Sequence, residues 1–418
     1  MKATTVLTPG TDSVSSDSMS LAPGLRNPSL KAVTPGLPGG VTGWISICPW
    51  RNSPGTKGTK TPKDAAENRT RKILVAGDPF RGYTKPIAAG FHTFGVQSTV
   101  LEWEARKKSP HEMIRENLSR KYRRNRYNLA GIANASALER AIVALAPDYV
   151  LAMNGATLTD KTREVFDRVG TKSIFWAYDS PIHFPWIAEA AAGFDLIYTY
   201  EPEDLAPLSK FGAPRFLPVA HDPSIYFPTD RVTSDTVDLC FVGSLRSYVP
   251  QRWRLLRLIA DEFKERAIEV WTDRGRWYSP YTFRTAVLSR RMKNLQLRLG
   301  AVDHHKINEL YNRSRICLNV HNPQSRKAAN PRNFEILGSG GFLLTDRSLD
   351  DIHGLERGRD YVLYTSENDL LDKIHHFLEH DEERLRIAKS GHSAAKEWHT
   401  YACRARTILD DSAKLAKT

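Results

Sequence analysis

Lys72-Ile73-Leu74-Val75-Ala76-Gly77-Asp78 is an unbroken apolar run that stops at Gly-Asp. A strand covered by helices on both faces reads this way, because it has no polar side to show. Runs of the same kind recur downstream between helical patterns. Helices are expected at 85–94, 137–145 and 160–168, and strands at 98–101, 149–153 and 173–178. A short helix, a strand at 196–200, a helix at 202–211 and a strand at 215–219 complete a first set. Strands alternating with helices of about 10 to 15 residues indicate βαβ units and a parallel sheet.

Beyond this set, residues 221–234 carry Pro223, Pro228 and several turn formers and read as a linker. The alternation then restarts. Strands are expected at 239–243, 268–271, 316–320 and 342–345, and helices at 252–263, 306–312 and 332–337. A late strand at 361–364 precedes three C-terminal helices. The fold class expected is α/β, with two tandem Rossmann-like parallel-sheet domains, 71–222 and 235–418, joined by a linker at 223–234. Open parallel sheets bind ligands at their carboxyl edge, so two such domains would enclose a cleft. Upstream, residues 1–70 hold 8 Pro, 8 Gly and 8 Ser and read as a disordered tail. Its apolar patch, Trp44 to Trp50, could pack on the domain surface or dock a partner.

Composition narrows the class. The chain has 418 residues, 41% apolar and 26% charged, as soluble globular proteins do. No run of about 18 apolar residues marks a membrane span. The start shows no secretory signal pattern. Cys48, Cys240, Cys317 and Cys403 are too scattered for a zinc site or a disulfide framework, which suits a reduced, cytoplasmic setting. Lys plus Arg is 60 against 47 acids, a net charge of +13. That surplus favours anionic ligands without choosing among them.

Several motifs are missing. The sequence has no G-x-x-x-x-G-K-[ST] loop, no G-x-G-x-x-G after its first strand, no G-x-S-x-G elbow and no D-x-D metal clamp. His304-His305 and His375-His376 lack metal-ligand spacing and read as exposed helix residues. The informative stretch is Asn330-Pro331-Arg332-Asn333-Phe334-Glu335-Ile336-Leu337-Gly338-Ser339-Gly340-Gly341-Phe342-Leu343-Leu344-Thr345-Asp346. A helix starting near Pro331 would aim its first amides, with Arg332, at a diphosphate. Glu335, one turn on, could accept hydrogen bonds from two ribose hydroxyls. The glycines, Gly340 among them, would let the next strand pass close under the ligand. A capped helix followed by a Gly-rich turn accounts for the same spacing without a ligand.

This stretch resembles the "N-x-R-x-F-E … G … L-T-D" signature of the CgeB-like (spore maturation protein) glycosyltransferases, a branch of the GT-B superfamily with a group 1-like C-terminal domain. Other pieces follow in order. Phe241-Val242-Gly243-Ser244 with Arg252 is similar to the opening of that family's second domain. Trp176-Ala177-Tyr178-Asp179-Ser180-Pro181 is similar to its "W-x-x-D-x-P". Leu217 to Pro223 with Phe227-Pro228 resembles its interdomain segment. Gly391, His399-Thr400-Tyr401 and Arg404 resemble its closing "G … H-T-Y … R". The resemblance spans roughly 72–410.

The resemblance implies a GT-B architecture and a metal-independent sugar transfer. The co-substrate would be a nucleotide-sugar donor, with no other cofactor. Glu335 would hold the ribose, and Arg332, Asn330, Gly243, Ser244, Arg246 and Arg252 would line the diphosphate. Many related retaining enzymes carry a second Glu eight residues before the first. Here that position is Lys327, which leaves sugar and stereochemistry open. On the acceptor side, Asp179 could orient or deprotonate a hydroxyl, with His183 as second candidate and Asp78 also facing the cleft. Asp179 could equally cap a turn, as Asp-Ser-Pro often does.

The acceptor would be a sugar, a polysaccharide or a protein. Nine Lys or Arg in 106–126 and seven in 274–298 could contact an anionic membrane or simply be solvated faces. No nucleic-acid module is visible, and no specific nucleic acid is expected. The alternatives are a GT-B sugar epimerase and a non-catalytic GT-B scaffold binding glycan, anionic lipid or nucleic acid.

Overall fold

The computed structural model describes residues 70–78, 82–102, 134–154, 158–229, 237–245, 250–273, 294–300, 303–323 and 325–415. All belong to one of the two units into which the chain divides, Ala32–Thr418. The expected tail with its Trp44–Trp50 patch, the basic segment 106–126, most of 274–298 and Arg246 lie outside the described residues.

The first domain is built on six parallel strands. They are β1 (Lys72–Gly77), β2 (Gln97–Glu102), β3 (Tyr149–Met153), β4 (Lys172–Ala177), β5 (Leu196–Thr199) and β6 (Pro214–Phe216), in the order β2-β1-β3-β4-β5-β6. The helices are α1 (Thr84–His92), α2 (134–145), α3 (Asp160–Val169), α4 (Pro185–Ala190) and the single turn α5 (Leu205–Leu208). Ile73 to Ala76 are buried on both faces, as the apolar run requires. The expected helix over 202–211 is broken. Two 3₁₀ turns flank α5, where Pro202 and Pro207 each remove a helical N–H.

The second domain carries β7 (Val237–Val242), β8 (Ile268–Thr272), β9 (Leu295–Leu299), β10 (Ser314–Asn319), β11 (Leu343–Thr345) and β12 (Val362–Leu363). Their order, β12-β11-β10-β7-β8-β9, reverses direction between β7 and β10. Helices α6 (Pro250–Glu262) and α9 (Glu367–Glu379) cover one face. Helices α7 (His304–Arg313), α8 (Pro331–Gly338) and α10 (Asp381–Trp398) cover the other. Strand β9 is not among the expected strands. Its L-Q-L-R-L alternation belongs to a half-exposed edge, and the sequence reading absorbed it into a basic segment. Arg298, counted there as surface charge, is exposed and also meets the buried Glu269 at 2.7 Å and lies over the Trp271 ring.

The last helix, α11 (Tyr401–Leu415), returns to the first sheet. Tyr401, Ala405, Ile408 and Leu409 join Ile87 and Phe91 of α1 in one core. Asp411 takes a hydrogen bond from Tyr198 at 2.9 Å and an ion pair from Arg215 at 2.6 Å. Gly90 makes the approach possible, since a Cβ there would sit 2.7 Å from the Tyr401 carbonyl oxygen. A division of the chain at 223–234 does not express this return. Among the described residues no helix is long and apolar enough to cross a membrane.

Candidate functional site

The chain crosses between domains twice, and one arginine holds both crossings. His221 and Thr400 form an isolated parallel bridge. Arg404 donates to the carbonyls of Pro218 at 2.6 Å, Val219 at 3.1 Å and Trp398 at 3.0 Å, and to Nδ1 of His399 at 2.8 Å. Burial holds His221 neutral, with its pKa pushed down to about 3. The interdomain and closing segments of the resemblance therefore meet in space.

The reversal between β7 and β10 places two loops at the carboxyl edge, where such sheets take ligands. One leads into α8. Asn330 caps this helix, its side-chain oxygen accepting the Arg332 N–H at 3.0 Å, and Pro331 fills the first position, which needs no donor. The cap is itself anchored. Asn319 at the end of β10 donates to Asn330 at 3.1 Å and to Asn333 at 2.6 Å. Asn333 donates to Nε2 of His321 at 3.0 Å. His321 donates its Nδ1–H to Asp346 at 2.7 Å and its main-chain N–H to the same carboxylate at 3.0 Å. Burial keeps His321 neutral, below the usual histidine range. Burial opposes the Asp346 charge, but the His321 donors outweigh it and hold the carboxyl below its ordinary range. Asp346 of the quoted stretch is thus an anchor for the helix start.

One turn into α8, Arg332 donates to Glu335. The Glu335 side chain is only 2% exposed and that of Arg332 28%, so the guanidinium lies over the carboxylate. The surroundings are phenolic. Tyr226 donates to Nδ1 of His304 at 2.5 Å. Burial, then the Glu335 charge, pushes the Tyr226 hydroxyl far up, and burial lowers His304. Tyr178 and Tyr401 share a 3.5 Å hydrogen bond, and the Tyr83 ring lies 5.3 Å from that of Tyr178. Burial drives Tyr178 and Tyr401 upward as well. These hydroxyls are neutral donors, fit for hydrogen bonding rather than proton removal.

The other predicted donor-side residues divide. Gly243 and Ser244 follow β7 at the reversal. Arg252 is buried, and its donors go to main-chain carbonyls: Val320 at 2.9 and 2.6 Å, Ser244 at 2.8 Å. It ties the two ligand loops together, which puts it behind the site. Gly340 is displaced from its expected role. It ends α8 with φ +73, its N–H bonded to Leu337 O while Gly341 bonds Ile336 O. That paired closure of a helix end needs a left-handed residue. A Cβ on Gly340 would meet Pro228, at the opposite end of α8 from Arg332.

On the acceptor side, Asp179 is half-buried and accepts from Asn154 at 3.0 Å. Asn154 follows β3, has φ 35 and also accepts the Tyr178 N–H at 3.1 Å. A strained left-handed asparagine thus aims the Asp179 carboxylate. His183 is exposed and donates Nε2–H to Pro323 O of the second domain at 3.1 Å. Asp78 is exposed at the end of β1.

Several residues escaped the sequence reading. His304 was expected to be exposed, yet it is half-buried beside Tyr226, whereas His305, His375 and His376 are exposed as expected. Tyr178 and Tyr401 lay inside quoted motifs without a role. The described part of the linker is docked on α7: Asn308 accepts from Phe227 N at 3.1 Å and Asn312 from Thr229 N at 2.7 Å. Among the described residues no three His, Cys, Asp or Glu gather as metal ligands.

A sucrose-phosphate synthase from Thermosynechococcus elongatus superposes with a TM-score of 0.58 at 9% identity, over 83% of this chain and 99% of that one. The fold is GT-B. An α,α-trehalose-phosphate synthase (UDP-forming) from Burkholderia xenovorans, in complex with glucose-6-phosphate, gives 0.57 at 12% identity over 81% and 99%. Anabaena Alr3699/HepE, in complex with UDP and glucose, gives 0.55 at 12% identity over 82% and 99%. Residues 251–410, the greater part of the second GT-B domain, match the family described as glycosyl transferase-like. Curated proteins yield no sequence match.

Proposed function

We propose that this chain is a glycosyltransferase that moves a sugar from a nucleoside diphosphate sugar to a hydroxyl acceptor without a metal. The observation that carries the reading is the Arg332–Glu335 pair at the anchored start of α8, at the strand reversal of a GT-B second domain. Anabaena HepE, of the same fold, was solved with UDP and glucose.

The chemistry follows from the side chains. The first amides of α8 and the Arg332 guanidinium take the diphosphate. As Arg332 swings to the phosphates it uncovers Glu335, which accepts the ribose hydroxyls. The acceptor oxygen attacks the anomeric carbon as its bond to the phosphate oxygen breaks. The electron pair leaves on the nucleoside diphosphate, whose growing charge Arg332 and the helix N-terminus stabilise. Asp179, held by Asn154, takes the acceptor proton. The acceptor is a sugar, a polysaccharide or a protein, and CgeB-like enzymes are the subfamily the motifs favour. A cytoplasmic setting with peripheral contact to an anionic membrane suits the net charge of +13.

The test is release of nucleoside diphosphate from UDP-, GDP-, ADP- and TDP-sugars, with and without added acceptors. Release that depends on Asp179 and Arg332 supports transfer. Product formed without any acceptor would favour an epimerase. Binding without turnover would favour a scaffold.

A further inference from the structure

The loop between β10 and α8 is pinned a second time, by the other domain. Glu201, which follows β5, is fully buried. Its carboxylate accepts the main-chain N–H of Arg326 at 2.8 Å, of Lys327 at 3.1 Å and of Ala328 at 3.1 Å. Three successive amides converging on one anion form a nest, a concave site for negative charge. Here a carboxylate of the first domain fills it. The Arg326 side chain reinforces the contact, donating to Glu203 at 2.5 Å and to Asp204 at 2.9 Å. Asp204 is in turn held by Ser180, next to Asp179, at 2.8 Å. The nest ends two residues before Asn330.

We infer that Glu201 is a positioning residue for the donor site: a carboxylate of the acceptor-side domain orders the loop that presents Asn330 and Arg332. Among the described residues, the second domain's hydrogen bonds to this loop lie at its ends, His321 through Asp346 and Asn330 through Asn319, and Ala328 and Ala329 pack into its core. Between them, the hydrogen bonds to the amides of 326–328 come from across the cleft. Donor binding and approach of the two domains are thereby one event. Opening the cleft removes the anion from the nest, releases three amides to water and loosens the start of α8. The two lobes are joined through Arg404 at one place and through the nest, with the His183 contact to Pro323 beside it, at another. The inference rests on the donor reading above.

The experiment compares wild type with Glu201→Gln, which keeps the side chain's shape and removes its charge. Hydrogen exchange is followed at the amides of 326–328, and UDP, GDP, ADP and TDP are titrated into both proteins. In wild type these amides are protected. In the variant they exchange at least about tenfold faster, while α11 keeps its protection. Affinity for the nucleotide that binds wild type falls roughly tenfold to a hundredfold, the worth of charge-assisted bonds. Unchanged protection overturns the inference. So does lost protection with unchanged nucleotide affinity. A wild type that binds no nucleotide, yet keeps the loop protected, sinks the donor reading instead. Should Glu201→Gln fail to fold, exchange in wild type decides the matter. These amides must then open in mild denaturant before the strand amides of β10, and opening only with global unfolding contradicts the latch.

Discussion

Arg332 covers Glu335 one turn into α8, so the cation and the anion of the candidate site neutralise each other at the start of a single helix. An i,i+3 pair on an exposed helix is worth little. Here Glu335 is almost fully buried, and truncating Arg332 leaves its charge buried without that partner. Arg332→Gln is expected to weaken nucleoside diphosphate binding by about tenfold to a hundredfold, through loss of the phosphate fork. Glu335→Gln should weaken a nucleoside diphosphate more than inorganic pyrophosphate, because only the former carries the ribose. Calorimetric titration of both ligands checks this.

Asp179 and His183 should separate kinetically. Asp179→Asn keeps the Asn154 contact but cannot take a proton, and kcat should fall by about 10² to 10⁴ with little change in donor KM. His183→Ala loses one exposed contact to Pro323 and should change kcat by less than about tenfold. Initial rates under saturating donor distinguish the two. Equal losses would remove Asp179 from the role of base.

The return of α11 is open to a stability test. A Cβ at Gly90 would press on the Tyr401 main chain, which cannot yield as a side chain would. Gly90→Ala is expected to cost roughly 1–3 kcal/mol despite alanine's better helix propensity. Urea midpoints measure it. A gain in stability would mean that α1 and α11 are not in that contact.

Acid should destabilise the fold around four buried or half-buried histidines. Burial lowers His221 to about 3, and also lowers His321, His392 and His399. Each binds fewer protons folded than unfolded below the ordinary pKa of about 6.5. Their contribution is therefore complete above pH 6.5 and is lost as pH falls below it, for His221 down to about 3, by about 1.4 kcal/mol per unit for each fully titrating group. Urea midpoints between pH 7.5 and 4.5 should fall steadily. His221→Gln, which keeps a donor and cannot charge, should flatten part of that slope.

The alternation of buried strands was legible because parallel sheets covered on both faces are written as apolar runs, as Ile73 to Ala76 show. The edge strand β9 was not, since half its residues face water. Arg332 and Glu335 stand one helical turn apart, but the sequence gives each to a ligand, and their pairing shows only in the fold. The partner of α11 could not, because an amphipathic face does not name the sheet it covers. Arg252 and Gly340 carry motif residues in sequence, but their roles depend on neighbours that a string does not show: two carbonyls for the first, a helix end for the second. Glu201 left no trace at all. Its partners are main-chain amides, which any residue supplies.

The central claim is that α8 begins a nucleotide site. Thermal unfolding of the wild type with UDP, GDP, ADP and TDP, beside an Arg332→Ala, Glu335→Ala variant, tests it most directly. A ligand at about 100 times its Kd adds about 2.7 kcal/mol, enough to move the midpoint by several degrees. The account predicts such a shift for one nucleotide in the wild type and none in the variant. No shift in a folded wild type, or equal shifts in both proteins, would contradict it.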